Sequence, residues 1–214
     1  MLIREHYENR EEWLAHRMRI GGSEIAAVIG QSPFISNVEL WELKTGKRKP
    51  KDLSGNENVK YGVRLEGALR GLFQAEHPEM QVEYYPYDIL YQDDIPYIGC
   101  TLDGELTETA TGKKGILEIK TSQMVSKVAG LKWDGQVPMN YYCQCLAQLI
   151  ATGWDFVCLY AQLKRLDGDS AIRLYRFDRE DCQADMGWIK SEAERFWHDN
   201  IIGGNKPATI LPGL

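Results

Sequence analysis

The run Gly115-Ile116-Leu117-Glu118-Ile119-Lys120 constrains this chain more than any other. It is apolar enough to be a buried strand, yet it carries an acid and a lysine two residues apart. Residues i and i+2 of a strand point to the same face. Glu118 and Lys120 therefore share one face, and Leu117 and Ile119 share the other. A carboxylate beside an ammonium on a buried strand is costly unless the two are paired or put to use. Asp103-Gly104 lies upstream, across a short polar stretch. Acid, acid and lysine at this spacing suit a metal-dependent phosphodiesterase. The same residues also fit a strand-edge ion pair preceded by a turn, because Asp-Gly is a strong turn signal. Spacing alone leaves both readings open.

A chain of 214 residues is long enough for a real core, and the length favours one domain over 1–214. Apolar content of 43% and charged content of 26% are those of an ordinary globular protein. The apolar runs are too short for a transmembrane helix. The opening Met1-Leu2-Ile3-Arg4-Glu5-His6 lacks the apolar stretch of a signal peptide, so a cytoplasmic location is expected. The five cysteines include no C-x-x-C pair and are expected to be reduced thiols rather than zinc or iron–sulfur ligands. A net charge of −6 argues against coating nucleic acid with the whole surface, but it leaves room for a local basic stripe.

No repeat or linker divides the chain. The first forty-five residues read as helices: Glu8 to Arg17, then Glu24 to Ile29 stopped by Gly30, then a helix opened by the capping box Ser36-Asn37-Val38-Glu39 and ended at Gly46. Lys47 to Asn58 reads as a loop. A longer helix is expected from Val59 to His77, with Leu65, Leu69, Leu72 and Phe73 as its apolar stripe. Strands follow at Gln81 to Leu90, Tyr97 to Leu106 and Lys114 to Lys120. Helices follow at Gln123 to Leu131 and Met139 to Thr152. Asp155 to Leu163 and Ala171 to Phe177 read as a hairpin about Asp167-Gly168-Asp169, and Arg179 to Ile202 as a last helix. The expected class is α/β or α+β, with a central mixed β-sheet flanked by helices.

Asp103 and Glu118 offer hard oxygen ligands suited to Mg²⁺ or Mn²⁺. A cation there would polarise a phosphate, and Lys120 would orient water or offset charge on phosphoryl oxygens. Glu66 lies at the edge of the long helix's apolar stripe and could reach the same place; it could equally pair with Arg70 at i, i+4. Gln144 and Gln148, one turn apart on an apolar helix, read either as buried amides with partners or as a solvated polar face. Tyr141 and Tyr142 read as base-stacking groups or as core aromatics. Gly21-Gly22-Ser23, with Arg17 and Arg19 upstream, reads as an anion site or as an ordinary serine N-cap.

Together these residues resemble the phage lambda-type alkaline exonucleases, or YqaJ-type viral recombinases, within the restriction-endonuclease-like PD-(D/E)xK superfamily. The resemblance runs through Arg19-Ile20-Gly21-Gly22-Ser23-Glu24-Ile25, Gly62-Val63-Arg64-Leu65-Glu66 and Gly99-Cys100-Thr101-Leu102-Asp103-Gly104. It continues through Leu117-Glu118-Ile119-Lys120-Thr121 and Val137 to Gln148, covering roughly residues 10 to 165. The superfamily's proline before the first acid is absent, since Leu102 precedes Asp103.

The resemblance implies a single nuclease domain of restriction-endonuclease-like fold. It makes Asp103 and Glu118 the metal-binding acids, Lys120 the catalytic lysine, Glu66 the helix glutamate completing the site, and Gln144 the glutamine beside it. Ser23 with Arg17 or Arg19 resembles a pocket for a 5′-phosphate, and Lys127 stands where a basic strand-contacting residue would fall. The implied activity is Mg²⁺-dependent 5′-to-3′ degradation of one strand of linear duplex DNA, with Mn²⁺ as a possible substitute, in phage-type recombination by single-strand annealing. A ring-shaped homotrimer, duplex DNA ends and an annealing protein are the implied partners, within a bacterial host cell. The rivals are a restriction- or repair-type endonuclease, a non-catalytic DNA-binding protein on the same fold, and a globular protein whose acids are structural.

Overall fold

A computed structural model describes residues 1–124, 130–165 and 167–210. Its elements, in chain order, are β1 (Leu2–His6), α1 (Arg10–Ala15), β2 (Ile20–Gly21), a 3₁₀ turn (Gly22–Glu24), α2 (Ile25–Val28), α3 (Asn37–Lys44) and α4 (Glu57–Glu76). β3 (Met80–Glu83), β4 (Asp88–Gln92), β5 (Ile95–Cys100), β6 (Gly104–Glu108) and β7 (Lys114–Met124) come next. The chain continues with α5 (Met139–Thr152), β8 (Phe156–Arg165), β9 (Ser170–Asp178) and α6 (Gln183–Arg195), which runs into a π-helical segment (Phe196–Ile202). Among the described residues no helix is long and apolar enough to cross a membrane.

The class is mixed α/β as expected, but the strands form two sheets. One has the order β1-β4-β5-β2 and the other β3-β6-β7-β8-β9. The two segments expected as single strands, Gln81 to Leu90 and Tyr97 to Leu106, each break and send their halves to different sheets. The first break passes through Tyr87, whose φ of 63° turns the chain where an extended residue could not. The first forty-five residues are not all helical. β1 pairs antiparallel with β4 over Leu2↔Gln92 to His6↔Asp88, and β2 pairs with β5 in parallel. Long-range pairing selects these strands over a short charged segment's local preferences.

The larger sheet has a helix layer on each face. Leu117, Ile119, Phe156, Cys158 and Tyr160 meet Leu69 and Phe73 of α4. Ile116, Val157, Leu159 and Ala161 face the other way, into the core that holds α5 and α2. Leu65 packs against the α4 cluster, whereas Leu72 is 40% exposed and lies off the expected stripe. β7 and β8 run parallel from Gly115↔Phe156 to Met124↔Arg165, joined through α5. A side chain at position 115 would meet the Phe156 ring at 2.2 Å, so only glycine allows these strands to pair there. α5 is buried along its length from Cys143 to Thr152 and packs on β4, β5, β8 and the 3₁₀ turn. Gly153, at φ 75°, closes it.

The helix expected from Gln123 begins instead as strand, since β7 continues to Met124; the middle of that expected helix, and Lys127, lie outside the described residues.

Candidate active site

Glu118 is 2% exposed, on the face of β7 that looks toward α5. Gln144 Nε2 donates to its Oε1 at 2.7 Å, the Gln148 amide donates to its Oε2, and the Lys120 ammonium closes on Oε1. The two amides are therefore buried groups with a partner, not a solvated face. α5 presents them side by side because positions i and i+4 stack on a helix. The 3₁₀ turn packs against them at Gly22, where a Cβ would lie in ordinary contact, 3.6 Å from Gln144 Cγ and 3.5 Å from Gln148 Cγ. Gln148, only 1% exposed, keeps one amide atom, Oε1, without a partner.

Asp103 sits at the break between β5 and β6. Its Oδ2 accepts from the Ile119 backbone N–H at 2.8 Å, which ties the loop to the strand beside Glu118. Arg70 fixes the arrangement from the helix side. Its Nε donates to the Asp103 carbonyl at 2.6 Å, its Nη2 lies 2.9 Å from Glu66 Oε1, and its guanidinium stacks 3.6 Å over Tyr84. Glu66 thus makes the helical pair with Arg70 and also faces the site. Spacing along the helix marks Arg70 only as the i, i+4 partner of Glu66. Its bond to a backbone carbonyl 33 residues away leaves no local signal.

The charges act on one another. Burial, then the Glu118 carboxylate, push the Asp103 carboxyl well above its ordinary range, against Lys120 and the Ile119 hydrogen bond. Burial raises Glu66 as well, opposed chiefly by Arg70 and reinforced by Glu118. Burial alone would lower Lys120, but Glu118 and Asp103 outweigh it and raise it, so the lysine is a cation here. Among the described residues no three His, Cys, Asp or Glu side chains already form a metal cage. Even so, two carboxyls, Asp103 and Glu66, whose ionisation the Glu118 carboxylate disfavours, with the unpartnered Gln148 amide oxygen nearby, fit a hard divalent cation.

The cleft in front of these groups has a volume of about 280 Å³. Asp103, Glu66, Gln144 and Gln148 line it together with Arg10, His16, Arg17 and Ser23. Ser23 is exposed within the 3₁₀ turn and is not its N-cap. Gly21 holds that place, and its N–H donates to Glu24 Oε2 at 2.7 Å. The two candidate arginines differ. Arg19 is held 3.1 Å from Glu5 and 3.6 Å over the Tyr91 ring. Arg17 rests 4.6 Å over Trp13 and makes no ion pair among the described residues. Lys44, 2.7 Å from Glu24, donates to the carbonyls of Arg17 and Arg19 and so anchors this segment.

Tyr142 donates to Asp185 at 2.7 Å and packs edge-on against Phe177, a structural role; Tyr141 packs against Trp133.

Two crystal structures share this fold. An alkaline exonuclease (LHK-Exo) from Laribacter hongkongensis matches with a TM-score of 0.67 at 22% identity, over 89% of this chain and 92% of that one. LHK-Exo in complex with dAMP matches with a TM-score of 0.68 at 20% identity, over 91% and 95% of the two chains. The YqaJ-like viral recombinase domain matches over residues 12–155, and the chain belongs to that family. The uncharacterized protein YqaJ of Bacillus subtilis (strain 168) is 28% identical over 210 residues. That alignment covers 97% of this chain, which spans 61% of the relative's length.

Proposed function

We propose that this chain is a divalent-metal-dependent deoxyribonuclease that degrades one strand of linear duplex DNA from its 5′ end. One observation carries the reading: a single cleft is lined by Arg17 and Ser23 together with Asp103, Glu66 and the two glutamines that hold Glu118. A terminal phosphate and a scissile phosphate of the same strand would each meet suitable groups within it. The family and the exonuclease fold support it.

Asp103 and Glu118, with Glu66 completing the set, would hold Mg²⁺ or Mn²⁺. The cation would supply Lewis-acid polarisation of the scissile phosphate. The protein's own groups do the rest. Gln144 and Gln148 keep the Glu118 carboxylate in one orientation. Arg70 holds Asp103 and Glu66 at the cleft. Lys120, kept cationic by its two acids, orients the attacking water or offsets charge growing on the phosphoryl oxygens. Arg17 and Ser23 receive the 5′-phosphate, and Arg19 supports them through its contacts with Glu5 and Tyr91. A role in recombination by single-strand annealing, a ring-shaped homotrimer, an annealing partner and a cytoplasmic site of action follow from the family resemblance.

Digestion of linear duplex DNA in Mg²⁺ tests the reading, with one 5′ end phosphorylated, the other not, and a covalently closed circle alongside. Mononucleotide release from the phosphorylated end with the circle spared is expected. A cut circle would move the protein to the endonucleases, and intact substrates would leave a DNA-binding protein.

A further inference from the structure

A second cleft, of about 440 Å³, opens beyond Lys120. That volume lies within the range of roughly 300–1,000 Å³ typical of small-ligand sites. It is bounded by the first turns of α4, the end of β7 and the neighbouring stretch of β8. Two tyrosines, Tyr61 and Tyr141, line it with the amides and hydroxyls of Asn58, Thr121, Ser122 and Gln162. The chain has 31 acidic residues, yet none lines this cleft. Among the described residues its one cation is Lys164, which makes no ion pair with them and stands 5.1 Å over the Tyr61 ring, whose hydroxyl donates to Gln162 Oε1 at 3.1 Å. An ammonium beside an aromatic face, with neutral amides around them and no carboxylate, suits a nucleotide whose base is unpaired.

The cleft also adjoins the candidate active site. Lys120, whose ammonium closes on Glu118, stands 5.5 Å over the Tyr141 ring that lines the second cleft. α4 crosses β7 at Gly62, where an added Cβ would lie 3.2 Å from Thr121 Oγ1. The residues of α4 before that crossing border the second cleft, and Glu66 after it borders the first. The geometry points to the second cleft as a binding site for unpaired nucleotides of the cut strand on the 3′ side of the scissile bond, stacked on Tyr61 with a phosphate against Lys164. This rests on the nuclease reading, which puts the 5′ end at Arg17 and Ser23.

The test is binding of an oligodeoxythymidylate with a 5′-hydroxyl and a 3′-fluorophore to the full chain in EDTA, followed by fluorescence anisotropy. Without a 5′-phosphate the Arg17 pocket is not the reporter. Tyr61→Ala should weaken binding roughly tenfold or more, while Tyr61→Phe, which keeps the ring, should stay within about twofold. Lys164→Ala should flatten the salt dependence, by a slope of about 0.7 for one phosphate contact on a single strand. Unchanged affinity in Tyr61→Ala with an unchanged circular-dichroism melt would overturn the inference. So would an equal loss in Tyr61→Phe, which would assign the effect to the bond with Gln162. A changed light-scattering mass with unchanged affinity would make the cleft an interface between copies, and would overturn it too. Because binding is read without metal, a failure to cleave DNA in Mg²⁺ would sink the nuclease reading separately.

Discussion

Gln144 Nε2 donates to Glu118 Oε1 at 2.7 Å, from one buried element to another. Gln148, one turn further along α5, holds the other carboxylate oxygen. Hydrogen bonds to a charged group contribute about 1.5–3 kcal/mol each. Gln144→Leu should therefore lower the unfolding free energy by about that much in urea melts. Gln148→Leu should cost less, near 1 kcal/mol, because it also removes a buried carbonyl oxygen that has no partner. A larger loss for Gln148→Leu than for Gln144→Leu would show that this oxygen is satisfied in solution.

Lys120 is the cation that Glu118 and Asp103 hold in place, and Glu118 keeps both amides when it is gone. Lys120→Ala should fold, and it should retain stabilisation by Mg²⁺ in a thermal melt. Cleavage of linear duplex DNA should fall by about 10²–10³-fold, the size of a lost transition-state charge partner. Normal cleavage by this variant would remove the lysine from the mechanism.

Much of this site is legible in the sequence, because its signals are local. β7 announces itself by an apolar run, and alternation puts Glu118 and Lys120 on one face. The capping box at Ser36 forms as expected, with Glu39 Oε2 accepting from Ser36 N–H at 2.9 Å, and α5 spans the expected residues. What escaped is non-local. Nothing near Gln144 and Gln148 in the chain says that their partner is Glu118, 26 and 30 residues away. Tyr87 carries no glycine or asparagine signal for its positive φ, so the division of the strands between two sheets had no mark in the sequence. β1 is a strand only because β4 lies beside it.

Gly115 and Phe156 are register partners across β7 and β8, and Phe156 is fully buried. Gly115→Ala would drive a methyl into the ring at 2.2 Å, and the strands cannot separate without breaking the ladder beneath Glu118. Overpacking of this kind costs about 1–3 kcal/mol. Gly115→Ala with Phe156→Leu should be less destabilised than the sum of the single variants, which a double-mutant cycle of urea melts would read. Simple additivity would mean the clash is relieved elsewhere.

Arg4 joins the two sheets, lying 2.7 Å from Asp88 of the smaller one and 2.6 Å from Glu105 of the larger. Both acids are buried, while the arginine side chain is about a third exposed. Removing one partner of a fully buried pair costs about 3–5 kcal/mol; with that exposure Arg4→Ala should cost nearer 2 kcal/mol at neutral pH. Burial already raises the Glu105 carboxyl despite Arg4, and losing the arginine raises it further. A carboxyl whose folded pKa exceeds its unfolded one takes up a proton on folding as pH falls. The deficit of Arg4→Ala should therefore narrow between neutral and mildly acidic pH. A deficit that stays constant or widens there would show that Glu105 does not titrate against Arg4.

The two arginines near Ser23 separate by what they already hold. Arg19 has spent its charge on Glu5 and its face on Tyr91, so Arg19→Ala strips a carboxylate of its partner and should destabilise the fold by about 1–2 kcal/mol. Arg17 holds no acid among the described residues, lines the cleft and rests on Trp13. Its replacement by alanine should leave the urea midpoint nearly unchanged. It should also abolish the preference for a 5′-phosphorylated end over a 5′-hydroxyl end in side-by-side digestion. Arg17→Lys should restore only part of that preference, because a lysine offers a point charge where a guanidinium offers a planar fork. If Arg19→Ala loses the preference while its stability is intact, and Arg17→Ala keeps it, the terminal phosphate is read by Arg19 instead.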